Sequence, residues 1–311
     1  MFDIYAAVTD RIIAELEKGI IPWTQPWVNL VAVSTRSSDK KPAPLTPDEI
    51  RRTAYSRSTG APYSLLNQML LGKPGEYMTF KQCQEAGGKV KKGEKAKMVV
   101  FWKMLPVEEE DPLTGEKKTK TVPFLRYYNV FHIDQTEGVT PRKLTEPKLP
   151  ETPEAPATPA LKFNPDEEAE RIAADYLTRT GIPLYHTNEN QAYYRPSNDS
   201  VTMPHMFQFS KVAEYYSTLF HELAHSTGHR SRLNRHNTLV ARGDAEYSKE
   251  ELVAEISSAA ILNHIGLETG DSFRNSAAYI QSWLRVLNND KHMIVGAASR
   301  AEKAVALILN I

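Results

Sequence analysis

The residues whose types and spacing could do chemistry are His221, Glu222 and His225, in the segment HELAH. Histidines four positions apart lie on one helix face, so both imidazoles can reach one metal ion at about 2.0–2.1 Å, with Glu222 beside them. Zinc lowers the pKa of a bound water from about 16 to about 7, and a nearby carboxylate can take the released proton. The segment therefore predicts a zinc centre with a catalytic carboxylate, although such ligands also accept Mn²⁺, Co²⁺ or Ni²⁺.

A site of this kind needs a third protein ligand. A helix from His221 to His229 rises about 12 Å, too far for one ion, so His229 is excluded. Glu251 and Glu255 share a face of a second predicted helix, so Glu251 can bind the metal while Glu255 accepts a hydrogen bond from a histidine N–H. Alternatively, Glu251 only forms a capping box with Ser248, and Glu255 binds the metal. We favour Glu251.

Two neighbouring features each have a chemical and a structural interpretation. Tyr247 could donate a hydrogen bond to an oxyanion, or it could simply pack. The strand predicted over residues 201–204 contains Pro204, and proline is tolerated mainly in edge strands. An edge strand could pair with an extended peptide substrate, or it could be an ordinary hairpin strand.

The first half of the chain combines a lysine-rich stretch with aromatic strands. Lysines can track phosphates, and aromatic rings stack on unpaired bases with about 1–3 kcal/mol per base, so this combination could bind a single-stranded nucleic acid. The candidate DNA contacts are Lys89, Lys91, Lys92, Lys95, Lys97, Trp102 and Lys103. The structural alternative is a solvated charged surface over core aromatic residues.

Composition limits the class of protein and its compartment. The 311 residues suggest two domains, and the 41% hydrophobic and 24% charged residues are typical of a globular protein. The single cysteine, Cys83, excludes an internal disulfide framework and a cysteine-based zinc cage. No stretch approaches the roughly 18 apolar residues of a membrane span, and no secretory signal is recognisable. We therefore expect a cytoplasmic protein with no membrane partner.

A proline-rich segment divides the chain. Residues 141–160 contain six prolines and few large apolar side chains, so they cannot pack a core and should act as a spacer. We predict a DNA-binding domain over residues 1–137, a linker over 138–164 and a metallopeptidase domain over 165–311. The first domain carries 20 Lys and Arg against 17 Asp and Glu, which favours a polyanion partner.

Apolar patterns predict the elements of the first domain. Helices are expected over residues 4–18 and 63–71, and strands over 97–105 and 124–133. The predicted fold class is α+β for both domains.

The second domain is predicted to be a small sheet packed on helices. Asn164 as N-cap and Pro165 at the first helical position begin a helix that ends at Gly181. Three short strands follow, and four helical segments come after Ser210. The metal-binding histidines belong to the first of those four segments.

Several motifs spread over nearly the whole chain occur together. They are residues 19–23 (GIIPW), 62–67 (PYSLLN), 78–82 (MTFKQ), 87–95 (GGKVKKGEK), 99–103 (VVFWK), 215–229 (YYSTLFHELAHSTGH) and 250–256 (EELVAEI). With this combination the sequence resembles the ArdC-type antirestriction proteins of mobile elements. The resemblance implies an N-terminal domain that binds single-stranded DNA and a C-terminal zincin-like metallopeptidase domain.

The resemblance also implies roles for residues and for the protein. His221, His225 and Glu251 would bind zinc, and Glu222 would be the catalytic carboxylate. The expected function is to protect single-stranded plasmid DNA that enters a host carrying a restriction system. One alternative is a true peptidase that cleaves a host protein, such as a restriction component, and uses DNA only for targeting. Another is a DNA-binding protein whose metal is purely structural.

Overall fold

The structure is a computed structural model that describes six segments of the chain. These are residues 2–24, 53–110, 117–142, 166–235, 245–267 and 277–311. Helices and small sheets occur in both halves of the chain, so the predicted α+β class is confirmed.

The first half begins with helix α1, Ile4–Glu17. The Asp3 carboxylate caps it by accepting a hydrogen bond from the Ala6 N–H at 3.0 Å. Gly19 follows the helix with a φ of 80°, a left-handed conformation that favours glycine. The predicted helix over residues 4–18 is thus confirmed. A 3₁₀ turn, Pro22–Thr24, comes next and buries the Trp23 side chain completely.

Strands and two short helices are among the further elements that the structure describes in the first half. The strands are β1 (Ala54–Ser56), β2 (Gly75–Met78), β3 (Lys89–Val90), β4 (Lys97–Glu110), β5 (Lys117–His132) and β6 (Thr136–Glu137). The helices are α2 (Leu65–Leu71) and α3 (Phe80–Glu85). A four-stranded sheet has the order β1-β2-β5-β4, and β3 pairs with β6.

Strands β4 and β5 form a long antiparallel hairpin. Both extend beyond the predicted 97–105 and 124–133, because charged residues and Pro106 or Pro123 in their outer parts disguise the strand pattern. The hairpin therefore projects beyond the other strands of its sheet.

The second half begins with helix α4, Glu167–Thr180. Asp166 is its N-cap and accepts a hydrogen bond from the Ala169 N–H at 2.9 Å. The prediction of Asn164 as N-cap and Pro165 as first helical residue was wrong; both lie outside the described residues. Aspartate is as good an N-cap as asparagine. The three glutamates in the first turn add stability, because their negative charges interact favourably with the positive N-terminal end of the helix dipole.

A three-stranded sheet follows, made of β7 (Leu184–Thr187), β8 (Tyr193–Arg195) and β9 (Ser200–Pro204). Its order is β7-β9-β8, so β9 is the central strand and is buried along its whole length. The interpretation of residues 201–204 as a sheet edge was wrong, and the alternative of an ordinary hairpin strand is confirmed by the antiparallel pairing of β8 with β9. Pro204 is tolerated because it is the last residue of the strand.

Four helices follow Ser210 in the described residues of the second half, in agreement with the prediction. They are α5 (Val212–Ser226), α6 (Ala245–Ile265), α7 (Ala277–Asn289) and α8 (Met293–Leu309). Helices α5, α6 and α8 pack on one another. Within the described segments, no helix combines the length and the apolar character needed to cross a membrane.

The two halves share one hydrophobic core. The Thr9 hydroxyl donates to the Lys291 carbonyl oxygen at 2.6 Å, and the Leu65 N–H donates to Glu302 Oε1 at 2.6 Å. Trp23 packs edge-on against Trp283, with ring centroids 6.0 Å apart. The proposed boundaries at 137 and 165 stay predictions, since most of the linker lies outside the described residues. The described parts of the two halves are nevertheless packed against each other.

Candidate functional site

Helix α5 carries the three residues of the HELAH segment. Its apolar side chains, including Tyr216, Phe220 and Leu223, are fully buried and fix the helix in the core. His221 and Glu222 are only 7% and 8% exposed. Polar side chains as buried as these need specific partners to be stable.

Two imidazoles and one carboxylate converge beside α5. His221 Nε2 and His225 Nε2 are 3.1 Å apart. The Glu251 carboxylate on α6 faces both nitrogens, with Oε2 3.5 Å from His221 Nε2 and Oε1 3.4 Å from His225 Nε2. An ion with tetrahedral ligands at about 2.05 Å holds its donor atoms about 3.3 Å apart. All three separations are therefore those of donors that surround one small cation.

Two further carboxylates stand behind the imidazoles. Glu255 Oε1 lies 3.6 Å from His221 Nδ1, and Glu250 Oε1 lies 3.6 Å from His225 Nδ1. Carboxylates in this position orient histidine ligands and make them more basic. Helix α6 has begun by Ala245, so Ser248 lies inside it and cannot be its N-cap. The capping-box alternative for Glu251 is therefore wrong.

Sequence reasoning missed Glu250 and its partner Arg235. The Arg235 guanidinium binds both carboxylate oxygens of Glu250, at 2.7 and 3.1 Å. It also donates to the Ala224 carbonyl oxygen at 2.9 Å and to the Thr227 hydroxyl at 2.7 Å. Arg235 thereby ties the end of α5 to Glu250 on α6. Both residues stand among other charged residues in the sequence, and no spacing rule predicts that Arg235 and Glu250 pair.

The acidic side chains control the charge of this cluster. Burial opposes a charge on His225, but hydrogen bonds to Glu250 and Glu251 outweigh it and raise the pKa of His225 to about 10. Burial also opposes the charge of Glu250, yet His225 and Arg235 lower the pKa of Glu250 to about 2. The pKa of Glu251 is lowered against the same burial by His221 and His225. Ionised carboxylates surround the histidines, a setting that attracts a cation.

Glu222 is held by the sheet next to α5. Its Oε2 accepts a hydrogen bond from the Tyr194 N–H of strand β8 at 2.7 Å. Because this N–H is directed at α5 rather than at β9, the edge of β8 that pairs with no other described strand faces Glu222. An extended chain pairing with β8 would therefore pass close to Glu222 and the two imidazoles.

A second arginine fixes β8 relative to the end of α5. Arg232 donates to the Ser226 carbonyl oxygen at 2.8 Å and to Asp199 Oδ2 at 3.0 Å. The Tyr194 hydroxyl donates to the other Asp199 oxygen at 2.7 Å. His229 Nδ1 lies 2.7 Å from the Ser231 hydroxyl oxygen and is not part of the histidine and carboxylate cluster.

Tyr247 lies on α6, one turn before Glu251. Its suggested hydrogen bond to an oxyanion stays a prediction.

The β4–β5 hairpin has two chemically different faces. Residues paired across the strands share a face, and successive residues alternate. One face, which we call the aromatic–cationic face, carries Phe101, Lys103, Phe124, Arg126 and Tyr128. The Phe101 and Tyr128 rings are 5.6 Å apart, and the Arg126 guanidinium lies 5.2 Å above the Phe124 ring. All five side chains are exposed.

The opposite face of the hairpin is apolar. It carries Trp102, Met104 and Tyr127, and Phe2 packs on Tyr127 with ring centroids 5.1 Å apart. Trp102, predicted with Lys103 as a DNA contact, is thus on the other face. Phe124, Arg126 and Tyr128 were not predicted as DNA contacts; the alternation of β5 residues was the signal that could have identified them.

The predicted lysine contacts differ in their partners. Lys89 Nζ lies 3.2 Å from Glu137, and Lys91 Nζ donates to the Asp134 carbonyl oxygen at 2.8 Å. Lys92, Lys95 and Lys97 are exposed and make no ion pair with any described residue. They are the members of the lysine-rich stretch whose charge is available to a phosphate.

The fold and the convergent cluster define a zincin-like metallopeptidase domain that follows a lysine-rich α+β domain. A family model described as zincin-like metallopeptidase matches residues 168–300. A second, described as the N-terminal domain of anti-restriction factor ArdC, matches residues 2–131.

Two crystal structures of the antirestriction protein ArdC from plasmid R388 are similar to the whole chain. The metal-free structure is 35% identical with a TM-score of 0.66, and covers 99% of this chain and 97% of its own. The Mn(II)-bound structure is 33% identical with a TM-score of 0.69, and the coverage is 99% and 98%. The chain therefore belongs to the ArdC family of antirestriction proteins, and the fold and the Mn(II)-bound relative indicate a divalent metal.

Curated relatives extend the comparison. The uncharacterized protein y4eC of Sinorhizobium fredii is 33% identical over 97% of this chain and 90% of its own length. Two Escherichia coli proteins named DNA primase TraC are 32% and 31% identical, over 96% and 97% of this chain. The chain spans only 19% and 26% of those two primases.

Proposed function

We propose that this antirestriction-family protein binds single-stranded DNA with its first half and holds a catalytic divalent metal in its second half. The observation that carries the catalytic proposal is the convergence of His221, His225 and Glu251, with donor atoms 3.1 to 3.5 Å apart. Shielding of incoming DNA from a host restriction system would follow from the first activity.

The residues present fit a metal of the zinc type. Two imidazole nitrogens and one carboxylate are the ligand set of catalytic zinc sites, which keep a fourth position for water or substrate. Glu250 and Glu255 stand behind the imidazoles at 3.6 Å, as outer partners of metal-bound histidines do. Zn²⁺ is our first choice, while Mn²⁺, Co²⁺ and Ni²⁺ accept the same donors. When bound, the metal would acidify a water molecule and polarise a carbonyl group.

Glu222 is the proposed general base. Its Oε2 is held by the Tyr194 N–H at 2.7 Å, which fixes the carboxylate next to the imidazoles and leaves Oε1 to take a proton. The edge of β8 that faces Glu222 would align an extended peptide past this carboxylate by backbone pairing. The substrate class supported by this arrangement is therefore a protein or peptide segment in extended conformation.

Single-stranded DNA is the proposed ligand of the aromatic–cationic face. Exposed rings alternate there with Lys103 and Arg126, so bases can stack while phosphates meet positive charge. Lys92, Lys95 and Lys97 add available charge near the start of β4. Such binding should weaken linearly with salt on logarithmic axes; a flat response would eliminate phosphate contacts as its source.

One substitution separates the proposed activities. Glu222→Ala should retain the metal and DNA binding but abolish hydrolysis of a peptide substrate. If protection of DNA depends on peptidase action, the variant also loses protection of unmodified DNA in a restricting host. If protection depends on DNA occupancy, it keeps protection, and charge reversal at Lys92 and Lys95 removes it. Metal content by mass spectrometry provides the control for the intact site.

A purely structural metal is the remaining alternative, because the cluster joins α5 to α6, two helices that pack on each other. In that case chelation should lower the melting temperature strongly in wild type and in Glu222→Ala alike, and neither should hydrolyse any peptide. Metal-dependent hydrolysis lost only in Glu222→Ala would contradict this alternative.

A further inference from the structure

A cleft of about 410 Å³ lies in the first half, and no residue of the histidine cluster lines it. Helix α1, the turn after it, the end of α2 and the start of β4 surround it. Its apolar lining includes Ile12, Ile20, Pro22, Met69 and Leu70. The volume is in the range of small-molecule binding sites, which extends from about 300 to 1,000 Å³.

Two cations at the cleft pair with no oppositely charged residue in the described part of the chain. Arg11 and Lys97 line it, and neither makes a hydrogen bond through its side chain or an ion pair with any described residue. The one acidic lining residue, Glu15, is already bonded to Lys18 at 2.7 Å. Packing lowers the pKa of the Arg11 guanidinium without neutralising it. The cleft therefore offers an apolar interior together with unpaired positive charge.

We infer that this cleft binds one nucleotide of single-stranded DNA, with the base against the apolar lining and its phosphate at Arg11 and Lys97. A nucleotide joins a flat, largely apolar ring to an anion, which matches both properties of the cleft. The inference rests on the proposed DNA binding and adds a second contact site to it.

Lys97 lines the cleft and also belongs to the strand that carries Phe101 of the aromatic–cationic face. Lys97 and Phe101 are both at odd positions of β4 and lie about 13 Å apart along the strand. Only a few nucleotides are needed to cover that distance. A strand stacked on Phe101 can thus place a following nucleotide in the cleft, which an unconnected anion such as a fatty acid cannot do.

Photo-crosslinking tests the inference. An oligothymidylate with a single 5-iodouracil is irradiated with the full-length protein, and crosslinked peptides are mapped by mass spectrometry. We expect crosslinks in β4 or β5 and also in α1 or α2. Crosslinks confined to the hairpin overturn the cleft inference and leave the proposed DNA binding intact. A complete absence of oligonucleotide binding overturns both.

Matched variants make the test quantitative. Ala14→Trp fills the cleft from an exposed position of α1 and should remove the α1 and α2 crosslinks while those of the hairpin persist. Arg11→Gln should reduce the slope of log affinity against log salt by about 0.7, the value for one phosphate contact on a single strand. Lys81→Gln removes an exposed positive charge elsewhere in the first half and should leave the crosslinks in place. Equal effects of Arg11→Gln and Lys81→Gln on the slope would overturn the site.

Discussion

Replacing Glu250 by glutamine tests whether the carboxylate behind His225 sets the metal affinity. Arg235 donates to both oxygens of Glu250, so a glutamine must place its NH₂ against one of the two Arg235 donors. Oε1, which accepts from Arg235 at 2.7 Å, is also the oxygen that lies 3.6 Å from His225 Nδ1. Either placement of the amide removes the negative charge behind the imidazole, so His225 should become a less basic donor to the metal.

The expected loss is about 10- to 100-fold in metal affinity, or about 1.4–2.7 kcal/mol. Competition with a chromophoric zinc chelator measures it, and circular dichroism confirms that the variant is folded. Glu168→Gln is the matched control, because Glu168 also binds an arginine through both oxygens but lies on the exposed face of α4. An affinity of Glu250→Gln within twofold of this control would refute the reasoning.

Three further predictions concern the ligands, the hairpin and the support of β8. Glu251→Ala removes a proposed metal ligand and should lower the metal affinity by more than about 100-fold, the upper limit for loss of a residue that only orients a ligand. The same chelator competition measures it. Phe101→Ala should weaken oligonucleotide binding by about 1–3 kcal/mol in fluorescence anisotropy, whereas Trp102→Ala, on the opposite face, should change it less than twofold. Burial opposes the charge of Asp199, but bonds from Arg232 and Tyr194 lower the pKa of its carboxyl. Its stabilisation is therefore complete above about pH 4 and is lost as pH falls through that lowered value, so the melting temperatures of wild type and Asp199→Asn should converge in acid.

The residues at the centre of the candidate site were accessible from sequence because helical periodicity fixes them. Because His221 and His225 are four positions apart, they must lie on the same face of their helix. A carboxylate from another helix was then needed to complete the set of metal ligands. Glu250 and Arg235 were not accessible, since their pairing depends on how the chain between α5 and α6 returns to the end of α5. Their distance in space is set by tertiary packing, which no local spacing encodes.

Strand predictions had a different limit. The alternation of apolar and polar residues identified β9 as a strand, but it could not show which strands pair with it. The parallel pairing with β7 depends on the path of the chain after α4. Its position as the central strand therefore could not be read from residues 201–204 alone. The long hairpin was underestimated for a local reason: prolines and charged residues resemble loop signals even where two strands pair throughout.

The turn Pro22–Thr24 packs on α6, the helix that carries Glu250, Glu251 and Glu255. Trp23 of the same turn also packs against Trp283 on α7, so the turn brings the two halves into direct contact. A fragment that begins at the proline-rich segment would leave this apolar surface bare to water and should be prone to aggregate. Laboratory truncation of the peptidase-like half therefore needs either the first 24 residues supplied in trans or polar replacements at the surface that they normally cover.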